Sequence, residues 1–354
     1  MNLQFSYLID KIQIAFEQKK AFTVFRKPNE TIVKAQFLSD DEIITTNDFK
    51  ESGFVFAPFD AKEPAIFFPL SKSELFESNF SGDKNITILP KTAIQNSLND
   101  KNFHLNLVEK AIDAINSNAF KKVVLSRKEE VENLKFDLIK TYQSLLQNYP
   151  TAMVYCWFHP KVGLWMGATP ELLCKVTSNH FSTVALAGTQ LADENKKVVW
   201  TKKEQIEQQL VTDFIVDELK LDVQQLKVSS PYAVKAGHLW HIKTDIEAEI
   251  PEESSLEKII QKLHPTPAVC GFPKNLAKDF ILQNENYNRE FYTGFLGELH
   301  INNNTELFVN LRCMQIFDHS IFIYVGGGIT QDSNPEKEWE ETVAKAKTMK
   351  NVLL

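Results

Sequence analysis

Cysteine is scarce in this chain, with four among 354 residues. Cys156, Cys174, Cys270 and Cys313 show no Cys-x-x-Cys spacing and lie in apolar or strand-like stretches. That pattern argues against a disulfide framework or a thiolate metal site, and buried free thiols are expected. The histidines supply no zinc site either: His238 and His241 lie on one expected strand, where an odd spacing points them to opposite faces. Long apolar runs are also missing. No stretch approaches the roughly 20 residues needed to span a bilayer, so no membrane partner is expected. The stretch from Met1 to Phe16 carries Asp10 and lacks the basic start and apolar block of a secretory signal, which makes a cytoplasmic protein the expectation. Positive charge is in deficit: 39 Lys and Arg stand against 46 Asp and Glu, for a net charge of −7. Such a surface repels phosphate backbones, and Lys19-Lys20 and Lys196-Lys197 are too short to form a basic stripe. No nucleic-acid partner is expected. The Gly-x-Gly-x-x-Gly pattern is absent as well. Gly326-Gly327-Gly328 follows an expected strand without directly opening a helix, which argues against a dinucleotide fold.

What is present reads as an ordinary globular protein with a sizeable core, since 43% of residues are apolar and 24% charged. No repeat or low-complexity tract divides the chain. Leu105, Val108, Ile112 and Ile115 form a helical stripe. Lys122-Ser126 reads as a strand, Phe136-Gln147 as a helix, and Ala152-His159 with Leu164-Ala168 as an antiparallel hairpin turned at Pro160-Gly163. Thr169-Pro170-Glu171 reads as a helix start, with Thr as cap and Pro at the first position. Thr201-Lys202-Lys203-Glu204 is a capping box ahead of a helix reaching Lys220. Strands are expected over His238-Ile250, Gly294-His300, Glu306-Arg312 and Ser320-Val325, and Ser333-Asn334-Pro335-Glu336 opens a last helix. Hairpins mixed with long helices argue for an α+β fold.

Two carboxylate pairs stand out. Glu204 and Glu207 are three apart on one expected helix, and Glu338 and Glu341 are three apart on another. That spacing puts each pair on one helical face, and two such faces together would make the oxygen-rich site that Mg²⁺ prefers. Taken alone, each pair is more often an exposed charged face, and Glu204 also reads as the capping-box acid. Lys122 enters the apolar run Val123-Val124-Leu125, where desolvation can lower an amine's pKa and make it a base; snorkelling at a strand end is the other reading. Glu171 at an expected helix start reads as an acid or as a simple cap. Ala187-Gly188-Thr189 and Val325-Gly326-Gly327-Gly328 end expected strands with small residues, which either admit a ligand carboxylate to the backbone or merely turn the chain.

Six segments resemble the chorismate-utilising enzymes in sequence and order. They are Lys122-Val123-Val124-Leu125-Ser126-Arg127, Thr169-Pro170-Glu171-Leu172-Leu173, Ala185-Leu186-Ala187-Gly188-Thr189, the stretch from Leu263 to Pro273, Arg289-Glu290-Phe291-Tyr292-Thr293-Gly294, and Glu338-Trp339-Glu340-Glu341-Thr342-Val343-Ala344-Lys345. The resemblance runs from Leu105 to the C-terminus. The His264-Pro265-Thr266-Pro267-Ala268 segment and Lys122 resemble the isochorismate synthase branch, which uses water, more than the branch that aminates chorismate. The resemblance implies a large α/β sandwich of two antiparallel sheets with helices outside. Residues 1–100 would add peripheral strands to the same unit, and residues 101–354 would form the chorismate-binding catalytic region. It further implies reversible, Mg²⁺-dependent conversion of chorismate to isochorismate, by water addition at C2 and loss of the C4 hydroxyl.

In that reading Lys122 is the base that activates water and Glu171 the acid at the departing hydroxyl. Glu207 and Glu341 hold Mg²⁺, with Glu204 and Glu338 as nearby or water-mediated ligands. Arg312 and Tyr292 grip the enolpyruvyl carboxylate, while Gly188, Thr189, His238, Gly326, Gly328 and Lys345 complete the pocket. Two departures from the family pattern are noted: Gln208 stands where many relatives have His, and Gln190-Leu191-Ala192 replaces an arginine-rich stretch. Salicylate synthase and a silent chorismate-binding protein are the alternative readings. Menaquinone formation is the expected use, with a siderophore pathway the alternative, and a monomer is expected, with a dimer the alternative.

Overall fold

The structure, a computed structural model, describes residues 2–82, 98–132, 136–191, 198–236 and 239–353. Two large sheets carry the fold, with seven α-helices among the described residues. The first sheet runs in the order Asn2–Leu3, Ser73–Asn79, Ile32–Leu38, Phe22–Arg26, Met153–His159, Gly163–Thr169, Cys313–Ile316, Ser320–Ile329, Lys122–Glu132 and Gly271–Phe272. The second runs Gln224–Val228, Leu239–Glu249, His180–Leu191, Leu172–Thr177, Asn304–Val309, Phe295–Ile301, Gly53–Ala57, Ala65–Pro69 and Thr45–Thr46, with Tyr232–Ala236 also pairing with Leu239–Glu249. Apart from Asn2–Leu3, which runs parallel to its neighbour, the described pairings are antiparallel. The fold is α+β, as expected.

Alternation along the central strands explains the layers. Val154, Cys156 and Phe158 of Met153–His159 face a cluster that includes Leu8 and Ile12 of the Phe5–Glu17 helix and Tyr142 and Leu145 of the Leu138–Asn148 helix. Met153, Tyr155 and Trp157 point the other way, into an aromatic layer between the sheets with Phe54, Phe56, Phe68 and Phe291. The Lys202–Leu219 and Leu256–Leu263 helices cover the second sheet through Val211, Phe214, Ile259 and Ile260. The Leu98–Asn116 and Lys274–Asn284 helices pack on Val123 and Leu125. All four cysteines are buried and free. No helix of the described residues is long and apolar enough to cross a membrane.

Three expected features differ. Thr169-Pro170-Glu171 starts no helix; it carries the chain from the Gly163–Thr169 strand of the first sheet to the Leu172–Thr177 strand of the second. The Thr169 hydroxyl donates to the Val309 carbonyl (2.5 Å), and the Glu171 carbonyl accepts from the Val309 amide (2.9 Å), so both are spent across strands. Pro170, with no N–H to give, suits the crossing between two ladders. Gly326-Gly327-Gly328 does not follow its strand but lies inside Ser320–Ile329, paired with Ser126, Leu125 and Val124. Gly188 also lies inside a strand, at a bulge between Ala187 and Thr189, with φ of +71° that favours glycine.

Candidate active site

A cavity of about 330 Å³ opens where the two sheets and two helices converge. Lys122 and Val124 reach it from one face of the Lys122–Glu132 strand, while Val123 and Leu125 point into the opposite core. Gly326 and Gly328 form its floor. A Cβ at Gly328 would lie 3.0 Å from Lys122 Cε, and one at Gly326 would lie 3.0 Å from the Tyr292 hydroxyl. Both glycines therefore leave room for the side chains above them. Glu171 enters at the inter-sheet crossing, and Gly188 and His241 enter from the second sheet.

Each helix sends one face into the cavity. Glu204 and Glu207 come from the first turns of Lys202–Leu219, while Gln208, Val211 and Thr212 turn inward and are buried. Glu338, Glu341 and Lys345 come from Pro335–Lys350, while Trp339, Thr342 and Ala346 are buried beside them. The Lys345 ammonium donates to the Gly326 carbonyl (2.8 Å) and pairs with Glu341 (2.6 Å), tying this helix to the glycine strand. Arg312 is held by the Lys345 carbonyl and the Thr348 hydroxyl, at 3.4 and 3.2 Å.

The electrostatics are uneven in a useful way. Burial pushes the Lys122 amine below its ordinary range, only partly opposed by Glu207, Glu171 and Glu341. Burial likewise raises the carboxyl of half-buried Glu171 to about 7, against the pull of Lys122, Lys345 and Arg312. An amine of lowered pKa and a carboxyl raised to about 7 thus share one cavity, the kind of pair that general base and acid work draws on. His241 is held below the usual imidazole range by burial first, with the cations Arg312 and Lys345 adding to it.

A family model for chorismate binding enzymes matches residues 70–354. The chain belongs to that family. Isochorismate synthase EntC of Escherichia coli (strain K12) is 27% identical over 313 residues, covering 83% of this chain and 79% of the relative. Among solved structures, MenF, the menaquinone-specific isochorismate synthase of Escherichia coli, superposes with a TM-score of 0.80 at 22% identity, over 95% of this chain and 89% of that one. Anthranilate synthase component I from Streptococcus pneumoniae TIGR4 superposes at 0.69 with 18% identity, over 93% and 90%. These structural likenesses support the same two-sheet architecture.

In this chorismate-binding enzyme, Lys122, Glu171, Gly188, Glu204, Glu207, Tyr292, Arg312, Gly326, Gly328, Glu338, Glu341 and Lys345 all line the one cavity. The backbone of Thr189 pairs with His241 at the bulge, but its side chain lies outside the described part. His238, Lys196, Lys197 and Ala192 also lie outside the described residues. His241 was missed by sequence reasoning. Strand alternation was the available signal, because it sets His241 opposite buried Ile242, Thr244 and Ile246.

The metal expectation meets a mixed donor set. Among the described residues no group of three His, Cys, Asp or Glu side chains is placed to hold an ion. The capping box is formed, and Glu204 Oε2 accepts from the Thr201 amide (2.7 Å), the Thr201 hydroxyl (3.0 Å) and Gln190 Nε2 (2.7 Å). That oxygen is already committed. Mg²⁺, however, commonly takes one or two carboxylates and fills its octahedron with water and substrate oxygens. Glu207 and Glu341, facing the cavity from separate helices, fit that smaller requirement.

Proposed function

We propose that the chain is an isochorismate synthase, which exchanges the C4 hydroxyl of chorismate for one at C2. The observation that carries this is the pairing, in a single cavity, of a buried amine of lowered pKa with a carboxyl raised to about 7. Lys122 takes a proton from a water as its oxygen bonds to C2. Glu171 gives a proton to the C4 hydroxyl, which leaves as water while the ring double bonds shift. Atoms and protons balance, because one water enters and one departs. Arg312 offers a fork of N–H donors to a substrate carboxylate, and Tyr292 a hydroxyl beside it. Glu207 and Glu341 would hold Mg²⁺, with Glu338 and Glu204 near; when bound, the ion neutralises and orients a ring carboxylate. The same groups serve whichever later pathway draws on the product.

The kinship with isochorismate synthases supports water over ammonia as the nucleophile. The test is chromatography of chorismate incubated with the protein and Mg²⁺ near neutral pH, without ammonia or glutamine. Isochorismate should form, isochorismate supplied alone should return chorismate, and a chelator should stop both. Stoichiometric pyruvate and salicylate would instead make it a salicylate synthase. An aminated product that appears only with ammonia would place it on the other branch. No conversion under any condition would leave a binding protein.

A further inference from the structure

Outside the cavity, Glu285 and Arg289 form an ion pair with side chains 2% and 1% exposed. Every N–H of the guanidinium is used. Nε donates to Glu285 Oε2 (2.8 Å) and Nη2 to Glu285 Oε1 (2.6 Å). The remaining donors reach the Val124 carbonyl (2.7 Å), the Val269 carbonyl (3.1 Å) and the Thr293 hydroxyl (3.2 Å). Val124, Val269 and Thr293 all line the cavity, and Arg289 does not.

The location explains the need. Gly271–Phe272 pairs with Lys122–Glu132 at Val123 and Lys122, and the last backbone bond on this side runs from the Val124 amide to the Cys270 carbonyl (2.8 Å). Beyond it Arg289 supplies a donor to the Val124 carbonyl, while Glu285 Oε1 accepts from the Ser126 amide (2.7 Å) and hydroxyl (2.8 Å). The pair thus stands in for a missing strand neighbour along the strand that begins with Lys122. A buried ion pair is a poor way to gain stability, since its desolvation can exceed its attraction. It is a good way to fix geometry, because the guanidinium fork is planar and its five directions are set.

We propose that Glu285 and Arg289 are positioning residues for the reaction, holding the Lys122 strand, the Ala268–Val269 wall and the Tyr292–Thr293 wall in register. This rests on the isochorismate synthase reading for its kinetic arm, but not for its structural one. Lys cannot replace the fork, having three donors on one nitrogen. Arg289→Lys should therefore keep a partner for Glu285 while losing some of the three wall contacts. The variant should lower kcat between about tenfold and a hundredfold, the scale of small misplacements in catalysis, with KM for chorismate changed less than about threefold.

Hydrogen–deuterium exchange is measured on the same samples, far below the melting temperature. Amides 122–126, 268–271 and 291–294 should exchange faster together, while the distant Leu138–Asn148 helix should not change. A uniform rise across the chain, or no rise in the three segments, would overturn the proposal. So would local loosening with normal kcat and KM in an active enzyme. If the wild type converts no chorismate, the functional reading fails and exchange alone decides the clamp. Should Arg289→Lys not fold, Ser126→Ala removes one donor from Glu285, along with the hydroxyl's bond to Tyr287 (2.7 Å), and leaves the guanidinium bonds in place. It should cost kcat about threefold, the scale of the one hydrogen bond lost to Glu285, with KM unchanged, and an unchanged kcat would overturn the clamp.

Discussion

His104 lies in the Leu98–Asn116 helix at 1% exposure, and neither ring nitrogen has a hydrogen-bond partner among the described residues. Burial, helped by nearby Arg127, lowers its pKa from 6.5 to about 4. The folded state therefore holds it neutral, whereas an unfolded chain protonates it near 6.5. Its penalty is absent above pH 6.5 and grows as pH falls toward 4. His104→Phe removes that penalty. Urea unfolding should show the variant gaining on the wild type as pH drops from 7 to 4, by at most roughly 3 kcal/mol. A gap that does not change with pH would rule this out. Residue identity was legible in the sequence where it had a single use, as with the buried free cysteines. It was less legible for Gln208 and Gln190. Gln208 proves to be a buried amide bonded to Thr212 and Thr244, and Gln190 holds Glu204. Both roles draw on a partner from another element, Thr244 for Gln208 and Glu204 for Gln190.

At the scale of elements, helix period made the glutamate pairs readable, because a spacing of three fixes a shared face before any tertiary contact exists. Glu204 lines the cavity and closes the capping box with Thr201. Thr201→Ala should cost about 1 kcal/mol, as N-cap deletions do, read as a lower urea midpoint with an unchanged slope. The Thr169-Pro170-Glu171 segment was misread because Thr followed by Pro serves equally as a cap and as a crossing between sheets. The strand starting at Lys122 runs to Glu132, well beyond the expected Ser126. Its charged second half resembles a surface loop, but it pairs with Ser320–Val325, and Arg127 and Glu129 bury one another at 3.0 Å.

Across the whole molecule, the aromatic layer joins the two sheets. Phe56 of the second sheet is fully buried, stacks on Phe291 at 4.2 Å and meets Trp157 of the first sheet at 4.9 Å. Phe56→Ala should cost about 3–5 kcal/mol, the usual result of emptying an aromatic site in a core. Calorimetry should show one transition at lower temperature; two separate transitions would mean that the sheets melt independently. Strands from residues 2–79 extend both sheets, although the family match begins at residue 70. By itself the sequence determined the α+β class, the helix faces and the order of the motifs, because these follow from local period and residue type. Only the tertiary structure decided that the motifs meet in one cavity. It also decided that burial moves Lys122 and Glu171 toward neutral pH, and that Arg289 bridges three walls. Desolvation and convergence arise from segments as far apart in sequence as Lys122 and Glu341, or Val124 and Arg289, and no local pattern encodes their meeting.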